Sequence, residues 1–149
     1  MKTDSRFRSL IIYTDGSLMP EGAGAGVVVQ DTHGQLLHIQ NQQLQVETNN
    51  EAEYAAVALA LQLARQLQAE LVEIRADSEV VINQMRGEFA VKSYKLKPYH
   101  WQVCQLAQHF PRVRYTYVPR EQNALADTFA SEASMGRLWS IGAATCTGS

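Results

Sequence analysis

Four acidic residues stand at positions where the sequence places the ends of regular elements: Asp15, Glu53, Asp77 and Asp127. Asp15 and Asp77 each come directly after a run of β-branched and apolar residues, Asp127 lies one turn into a C-terminal helical segment, and Glu53 about one turn inside an earlier helix. Because the carboxyl ends of parallel strands meet at one edge of a sheet, we expect the four carboxylates to converge.

Converging carboxylates have a clear electrostatic consequence. Like charges a few ångströms apart in a partly dry site repel strongly unless a cation lies between them. Oxygen ligands suit the hard ions Mg²⁺ and Mn²⁺. A single Asp after a strand commonly forms a turn or caps a helix, so the prediction of a metal site depends on all four residues together.

The first half of the sequence predicts three strands and a long helix. The strands are β-branched or alternating runs separated by turn signals, which favours an antiparallel meander: Ser9–Thr14, Ala23–Gln30 and His38–Gln45. Thr48 and Glu51 have the spacing of a capping box, and apolar residues behind them recur at helical spacing. We therefore expect a helix from Asn49 to Gln68.

The second half alternates strands with helices: a strand at Leu71–Ala76, a helical stretch toward Met85, a helix at Pro98–His109, a strand at Arg112–Val118 and a helix at Asn123–Met135. This order predicts an α/β domain over residues 1–135, with a five-stranded mixed sheet, three strands antiparallel and then two parallel, and helices on both faces. Residues 136–149 form a tail that either packs back on the domain or is disordered.

Charge is distributed unevenly along the 149 residues, whose net charge is −2. Residues 86–137 contain eight Lys and Arg against four Asp and Glu, so the second half is basic and the first half acidic. This asymmetry has two interpretations, a phosphate-binding surface or scattered solvated charge.

Targeting signals and metal-binding cysteines are not evident. No apolar run approaches the roughly 18 to 20 residues that span a bilayer, and residues 1–8 lack the apolar segment of a secretory signal. We expect a cytoplasmic protein without a membrane partner. Cys104 and Cys146 have no second ligand at metal-binding spacing and are predicted to be unpaired thiols.

Four short motifs resemble those of the type 1 ribonucleases H, in the same order, over residues 9–135. They are YTDGS at 13–17, TNNEAE at 48–53, DS at 77–78 and NALAD at 123–127. Each motif alone is weak evidence, whereas four in order at the expected element boundaries are specific.

The resemblance implies a ribonuclease H-like fold and an endonuclease that hydrolyses the RNA strand of an RNA–DNA hybrid. Asp15, Glu53, Asp77 and Asp127 would bind two Mg²⁺ or Mn²⁺ ions, and the products would carry 5′-phosphate and 3′-hydroxyl ends. Of the four acids, Glu53 is expected nearest the RNA. The enzyme is expected to be a monomer.

The resemblance also implies residues that contact the hybrid. They would contact the RNA backbone, the minor groove or a DNA phosphate: Gly16, Ser17, Thr48, Asn49, Asn50 and Asn83. Alternative roles are helix capping for Thr48 and ordinary surface amides for the Asn residues.

Two departures from well-studied bacterial members affect substrate handling. The stretch from Arg86 to Pro98 is too short for their basic helix and loop, which leaves three lysines, 92, 95 and 97, as a smaller handle or as solvated charge. The loop before the last helix contains Arg120 instead of a histidine. We expect Arg120 to hold the scissile phosphate, the alternative being an ordinary loop cation. This pattern resembles a compact archaeal-type branch, for which a side activity on double-stranded RNA is expected.

Two rival functions remain open. The same fold serves transposases, integrases and junction resolvases, and a non-catalytic nucleic-acid-binding domain could keep the fold. The four histidines match no motif position and are predicted at the surface or at helix ends, and Trp101 and Trp139 are predicted to pack.

Overall fold

The computed structural model describes residues 9–142 and shows a mixed sheet with helices on both faces. Three long strands form the predicted meander: β1 (Ser9–Met19), β2 (Gly22–Gln30) and β3 (Leu36–Leu44). β1 pairs antiparallel with β2, and β2 pairs antiparallel with β3. Two strands from the second half, β4 (Leu71–Ala76) and β5 (Arg112–Tyr117), extend the sheet in parallel with β1.

Helix α1 (Asn49–Gln66) begins at the capping box that the sequence predicts. The Thr48 hydroxyl accepts a hydrogen bond from the Glu51 amide at 3.1 Å, and the Glu51 carboxylate accepts from the Thr48 hydroxyl and the Glu47 amide, both at 3.0 Å. These contacts satisfy amides that the first turn leaves without a helical partner. The cap therefore fixes where α1 starts, and with it the position of Glu53 one turn later.

The remaining helices are α2 (Glu79–Met85), α3 (Lys97–Ala107) and α4 (Ala124–Ser134), and a 3-10 turn (Arg120–Asn123) precedes α4. Helix α1 packs on one side of the central strands, with α3 against it, and α4 packs on the other side across β1, β2 and β3. The main hydrophobic core lies between α1 and the sheet, and it includes Leu10, Ile12, Tyr54 and Ile74.

Glycines on β2 allow α4 to approach the sheet closely. A Cβ atom on Gly24 would lie 2.3 Å from the Ala130 carbonyl oxygen, and one on Gly26 would lie 2.4 Å from the Ala126 carbonyl oxygen. Real Cβ atoms do not reach such distances, so any side chain at these positions would push α4 away. The small residues of the AGAG segment thus set the depth of the helix that carries Asp127.

Within residues 9–142 the sheet has six strands, whereas the sequence predicts five. The additional strand, β6 (Ser140–Gly142), pairs antiparallel with the outer edge of β3. The Asn41 side chain anchors the segment that precedes β6. Its amide nitrogen donates to the backbone carbonyls of Phe129 and Arg137, both at 2.9 Å, and its oxygen accepts from the backbone amide of Trp139 at 2.7 Å. Residues 136–142 therefore pack back on the domain, while 143–149, with Cys146, lie outside the described residues.

Two smaller predictions, for His38 and Trp101, are also wrong. His38 is buried in β3 with 1% of its surface exposed, and its ring nitrogen lies 2.9 Å from the Gln40 side-chain oxygen. Trp101, which was predicted to pack, is 65% exposed. The predicted packing of Trp139 is confirmed, because its ring lies edge-to-face against Phe129 although 44% of its surface is exposed. A short sequence window does not report such tertiary surroundings. The predicted free thiol is confirmed for Cys104.

The helices of residues 9–142 include none with both the length and the apolar character that a membrane span requires.

Candidate active site

Asp15 and Asp77 lie side by side because their strands are parallel neighbours. The β1–β4 ladder ends at the pair Tyr13 and Arg75, two residues before each aspartate. Asp77 follows the end of β4, as predicted. The prediction that Asp15 follows a strand end is wrong, because β1 continues to Met19 and Asp15 is paired with Gly26 of β2. Continuous pairing on that side holds Asp15 rigidly.

Glu53 reaches the two aspartates from α1, which packs on the side of the sheet opposite α4. Its carboxylate accepts a hydrogen bond from the Gly16 amide at 2.9 Å. A Cβ atom on Gly16 would lie 2.3 Å from the carbonyl carbon of Ala52, so only glycine lets α1 come this close to β1. Gly16 thus positions Glu53 both by its amide and by its lack of a side chain.

The carboxylates form a compact group. Oxygens of Asp15, Glu53 and Asp77 all lie within 4.8 Å of one another. Asp127, at the start of α4, completes the wall of the same cavity, which has a volume of about 430 Å³. The predicted convergence therefore occurs for Asp15, Glu53 and Asp77, and Asp127, the most exposed of the four, lines the same cavity.

Burial and mutual repulsion change the acidity of this group. Asp15 is 5% exposed, and burial together with the nearby Glu53, a hydrogen bond with Asp127 and the charge of Asp77 raises its pKa to about 10. Burial is also the main cause that raises the pKa of Glu53 to about 8, against the lowering effect of the Gly16 amide. Without a cation, the group therefore retains protons at neutral pH.

The donor set fits a divalent cation. All the converging atoms are carboxylate oxygens, which Mg²⁺ and Mn²⁺ prefer, and a bound cation would offset both the burial and the mutual repulsion that raise the pKa values of Asp15 and Glu53. Asp15, Glu53 and Asp77 are placed to hold it, with Asp127 beside them.

Asn123 contributes to the site, although it is not among the site residues predicted from the sequence. It is 1% exposed, and its amide nitrogen donates to the Thr14 carbonyl at 2.8 Å and to a carboxylate oxygen of Asp77 at 3.2 Å. It thereby ties the 3-10 turn to both strands that carry aspartates. The available signal was its place as the first residue of the NALAD motif.

Two buried polar atoms near this junction lack a hydrogen-bond partner among the described residues: the Thr14 hydroxyl and the Asn123 side-chain carbonyl. Unsatisfied buried polar groups cost stability and are uncommon in folded proteins. Here Thr14 directly precedes Asp15, and the Asn123 side chain contacts Asp77.

The other predicted site residues divide into two groups. Gly16, Asn49 and Arg120 line the carboxylate cavity, and Arg120 is exposed on the 3-10 turn. Ser17, Thr48, Asn50 and Asn83 are not among the residues that line it. Thr48 serves as the cap of α1, and Asn83 lies half-buried on α2. Their predicted contacts with a hybrid stay predictions.

The short segment that replaces the basic helix is partly neutralised. Lys95 forms an ion pair with Glu47 at 2.5 Å, whereas Lys92 and Lys97 are exposed. Tyr94 is 89% exposed beside them. The smaller handle proposed from the sequence is thus accessible, although one of its three charges already has a partner.

The proteins to which this chain is similar agree with the geometry of the carboxylate site. The reverse transcriptase-like family matches residues 13–133, and a protein named ribonuclease HI from Halobacterium salinarum is 31% identical over 123 residues, which covers 81% of this chain and 62% of that protein. This chain belongs to the type 1 ribonuclease H family. The predicted family and the ribonuclease H fold are confirmed.

Solved structures of the family agree over most of the chain. The ribonuclease H1 of Halobacterium salinarum is 29% identical with a TM-score of 0.80, covering 84% of this chain and 96% of that one. The N-terminal ribonuclease H domain of Rv2228c from Mycobacterium tuberculosis is 32% identical with a TM-score of 0.81, covering 87% and 95%. The LC11 ribonuclease H1 from compost, in complex with an RNA/DNA hybrid, is 35% identical with a TM-score of 0.76, covering 83% and 94%.

Some curated relatives are much longer proteins. The bifunctional protein Rv2228c of Mycobacterium tuberculosis is 36% identical over 118 residues, which is 79% of this chain. The chain spans about a third, 32%, of that relative's length. The likeness to it therefore concerns one domain.

Proposed function

We propose that this protein is an endonuclease that hydrolyses the RNA strand of RNA–DNA hybrids, leaving 5′-phosphate and 3′-hydroxyl ends. The observation that carries the proposal is the convergence of the oxygens of Asp15, Glu53 and Asp77 within 4.8 Å in a chain of this family. The LC11 ribonuclease H1 in complex with a hybrid supports the choice of substrate.

Mg²⁺ or Mn²⁺, two ions with substrate bound, is the proposed cofactor. Such ions lower the pKa of water and stabilise negative charge on a leaving oxygen. The four acids, Asp15, Glu53, Asp77 and Asp127, would hold them, and the rigid attachment of the first three limits the reorganisation that binding requires.

The residues around the carboxylates supply binding and orientation. Arg120 lines the same cavity as the acids, and its guanidinium can donate two parallel hydrogen bonds to a phosphate. Asn49, at the first turn of α1, lines the same cavity and offers an amide to a 2′-hydroxyl. Glu53, held by the Gly16 amide, lines the same cavity.

Two finer points belong to the same proposal. A side activity on double-stranded RNA is supported by groups in the cavity that can recognise 2′-hydroxyls of the strand being cut. A monomer is supported because one chain supplies every residue of the site.

The test is a cleavage assay on labelled duplexes of one sequence: RNA–DNA, RNA–RNA and DNA–DNA, each with Mg²⁺, Mn²⁺ or chelator. We expect metal-dependent cutting of the hybrid's RNA strand, and phosphatase treatment of labelled fragments identifies the ends. Asp77→Asn serves as the inactive control, with a loss of about three orders of magnitude in rate and hybrid binding largely kept. Cutting of DNA–DNA, or hydrolysis that survives the chelator, contradicts the proposal.

A further inference from the structure

Among residues 9–142, α4 packs on β1, β2 and β3, and its contacts do not extend over β4 and β5 on that side of the sheet. Val72, Ile74, Val113 and Tyr115 of the two parallel strands point into the core with α1. The alternate residues therefore project on the opposite side, and α4 covers only β1, β2 and β3 there. We call the resulting surface the arginine face: Glu73, Arg75, Arg112, Arg114 and Thr116.

The arginine face is positively charged in a chain whose net charge is negative. It has three arginines and one glutamate, whereas the whole chain carries −2. Glu73 is already paired, since Arg75 contacts its carboxylate at 3.0 Å. Burial raises the pKa of Glu73, but the hydrogen bonds from Arg75 and Thr116 and the charges of Arg75 and Arg114 lower it overall. Among residues 9–142, neither Arg112 nor Arg114 forms a salt bridge. The excess positive charge is therefore available to an external anion.

The face is also shaped to receive an extended chain. A depression of about 200 Å³ runs between Ile11, Leu71 and the two exposed arginines, 112 and 114. Those arginines are two residues apart on β5, so they are separated by about 7 Å along the strand. Neighbouring phosphates of an extended nucleic-acid strand have a comparable spacing. Arg75 is held at the upper end by the Tyr13 hydroxyl at 2.7 Å, with its guanidinium over the Tyr13 ring.

The arginine face adjoins the carboxylate site across a single turn. The 3-10 turn lines the acidic cavity through Arg120 and lines a second depression, beside Tyr13, through Gln122. Asp77 follows Arg75 by two residues. A strand that leaves the acidic cavity over Arg120 therefore meets Arg75 first and then the two arginines of β5.

We propose that the arginine face binds a single-stranded extension of the nucleic-acid substrate. The inference rests on the proposed function, because the carboxylate site is what brings a polyanion to this end of the sheet. A single strand fits better than the hybrid itself, since a duplex is stiff over many base pairs whereas a single strand can bend over the turn. Guanidinium groups bind phosphates by paired hydrogen bonds and need no base sequence.

The experiment compares hybrids that differ only in overhang. Blunt hybrid and hybrids with a single-stranded extension, on the RNA or the DNA strand and at either end, are cleaved by the wild type and by Arg112→Gln/Arg114→Gln. We expect one of the four extensions to lower the KM of the wild type roughly fivefold to tenfold relative to blunt hybrid. The same extension should leave the KM of the double variant unchanged. Cleavage of blunt hybrid should be the same for both proteins.

A binding measurement separates this inference from the proposed function. Anisotropy titrations with a labelled single-stranded oligonucleotide in chelator need no cleavage. Replacing two phosphate contacts should reduce the slope of log K against log salt by about 1.4. The matched control, Arg65→Gln, removes an exposed arginine from α1 on the other side of the sheet and should leave the slope unchanged.

The outcomes are distinct. Absence of cleavage on every hybrid contradicts the proposed function alone, and oligonucleotide binding that depends on Arg112 and Arg114 would still support the arginine face. An equal gain from the extension in both proteins, no gain in either, or an unchanged salt slope overturns the inference. In that case the charge of the face would point to another partner, such as an acidic protein.

Discussion

Arg120 is the residue whose role depends most on the substrate. It lines the carboxylate cavity yet is exposed and forms no salt bridge among residues 9–142. Arg120→Ala should lower the rate of hybrid cleavage about 10- to 100-fold with an unchanged melting temperature, because it removes a donor to the phosphate without a folding contact. Arg120→Lys should recover only part of the rate, since an ammonium cannot make two parallel bonds. A wild-type rate for the alanine variant would remove Arg120 from the site.

Asn123 is expected to act by positioning Asp77. Asn123→Ala removes the donor to the Asp77 carboxylate and leaves the buried Thr14 carbonyl unpaired. We expect a loss of about 1 to 3 kcal/mol in the free energy of unfolding and Mg²⁺ binding about 10- to 100-fold weaker by calorimetric titration.

The control for Asn123 is its exposed neighbour, Gln122→Ala, which should change neither quantity. A purely structural role for Asn123 predicts reduced stability with normal Mg²⁺ affinity, so the titration distinguishes the two interpretations.

At the scale of the elements, contact between α4 and β2 determines where Asp127 lies. In Gly26→Ala, the new Cβ would lie 2.4 Å from the Ala126 carbonyl oxygen and 2.5 Å from the Ala130 amide nitrogen. The helix must shift, and we expect a loss of about 1 to 3 kcal/mol in the free energy of unfolding, measured by urea denaturation. Cleavage should also fall, because Asp127 moves with the helix.

Gly34→Ala is a matched control for this substitution. Its Cβ would meet nothing within 4 Å, and its φ of +86° costs an alanine only about 1 to 2 kcal/mol. It should therefore reduce stability while leaving cleavage unchanged. Equal cleavage by the two variants would show that the depth of α4 does not matter for activity.

At the scale of the whole molecule, the carboxylate group links stability to pH and to metal. The pKa values of Asp15 and Glu53 rise from 3.8 and 4.5 to about 10 and about 8 on folding. Between about pH 4 and pH 10 the folded protein therefore binds more protons than the unfolded chain. Without metal, its free energy of unfolding falls as the pH rises through this range.

Bound Mg²⁺ and the substitution Asp15→Asn should each reduce this loss of stability at higher pH. Mg²⁺ binds the ionised folded state, so the melting temperature measured from mildly acidic to mildly alkaline pH should fall less in Mg²⁺ than in chelator. Asp15→Asn should flatten the profile in chelator, because its amide does not ionise. A metal-free melting temperature that rises over this pH range contradicts the assigned shifts.

The sequence by itself determined most of the elements and the identity of the acidic residues. The capping box at Thr48, the alternating strands and the NALAD helix depend on contacts within a few residues, so most of their boundaries agree with the structure to within a few positions. The exception is β1, which ends at Met19 and not at Thr14. The family motifs carried the four acids, since chemistry restricts residue types there more tightly than packing does. Arg120 was found instead as a departure, because it lies in the loop where well-studied bacterial members have a histidine.

Tertiary structure alone decided how those residues are held and what lies beside them. Several contacts join segments far apart in the sequence. They are the pairing that continues β1 through Asp15, the hydrogen bond of Glu53 with the Gly16 amide, the two hydrogen bonds of the Asn123 side chain and the pairing of β6 with β3. The open arginine face also depends on which strands α4 leaves uncovered. Such contacts are set by the packing of whole elements, and local periodicity carries no information about that packing.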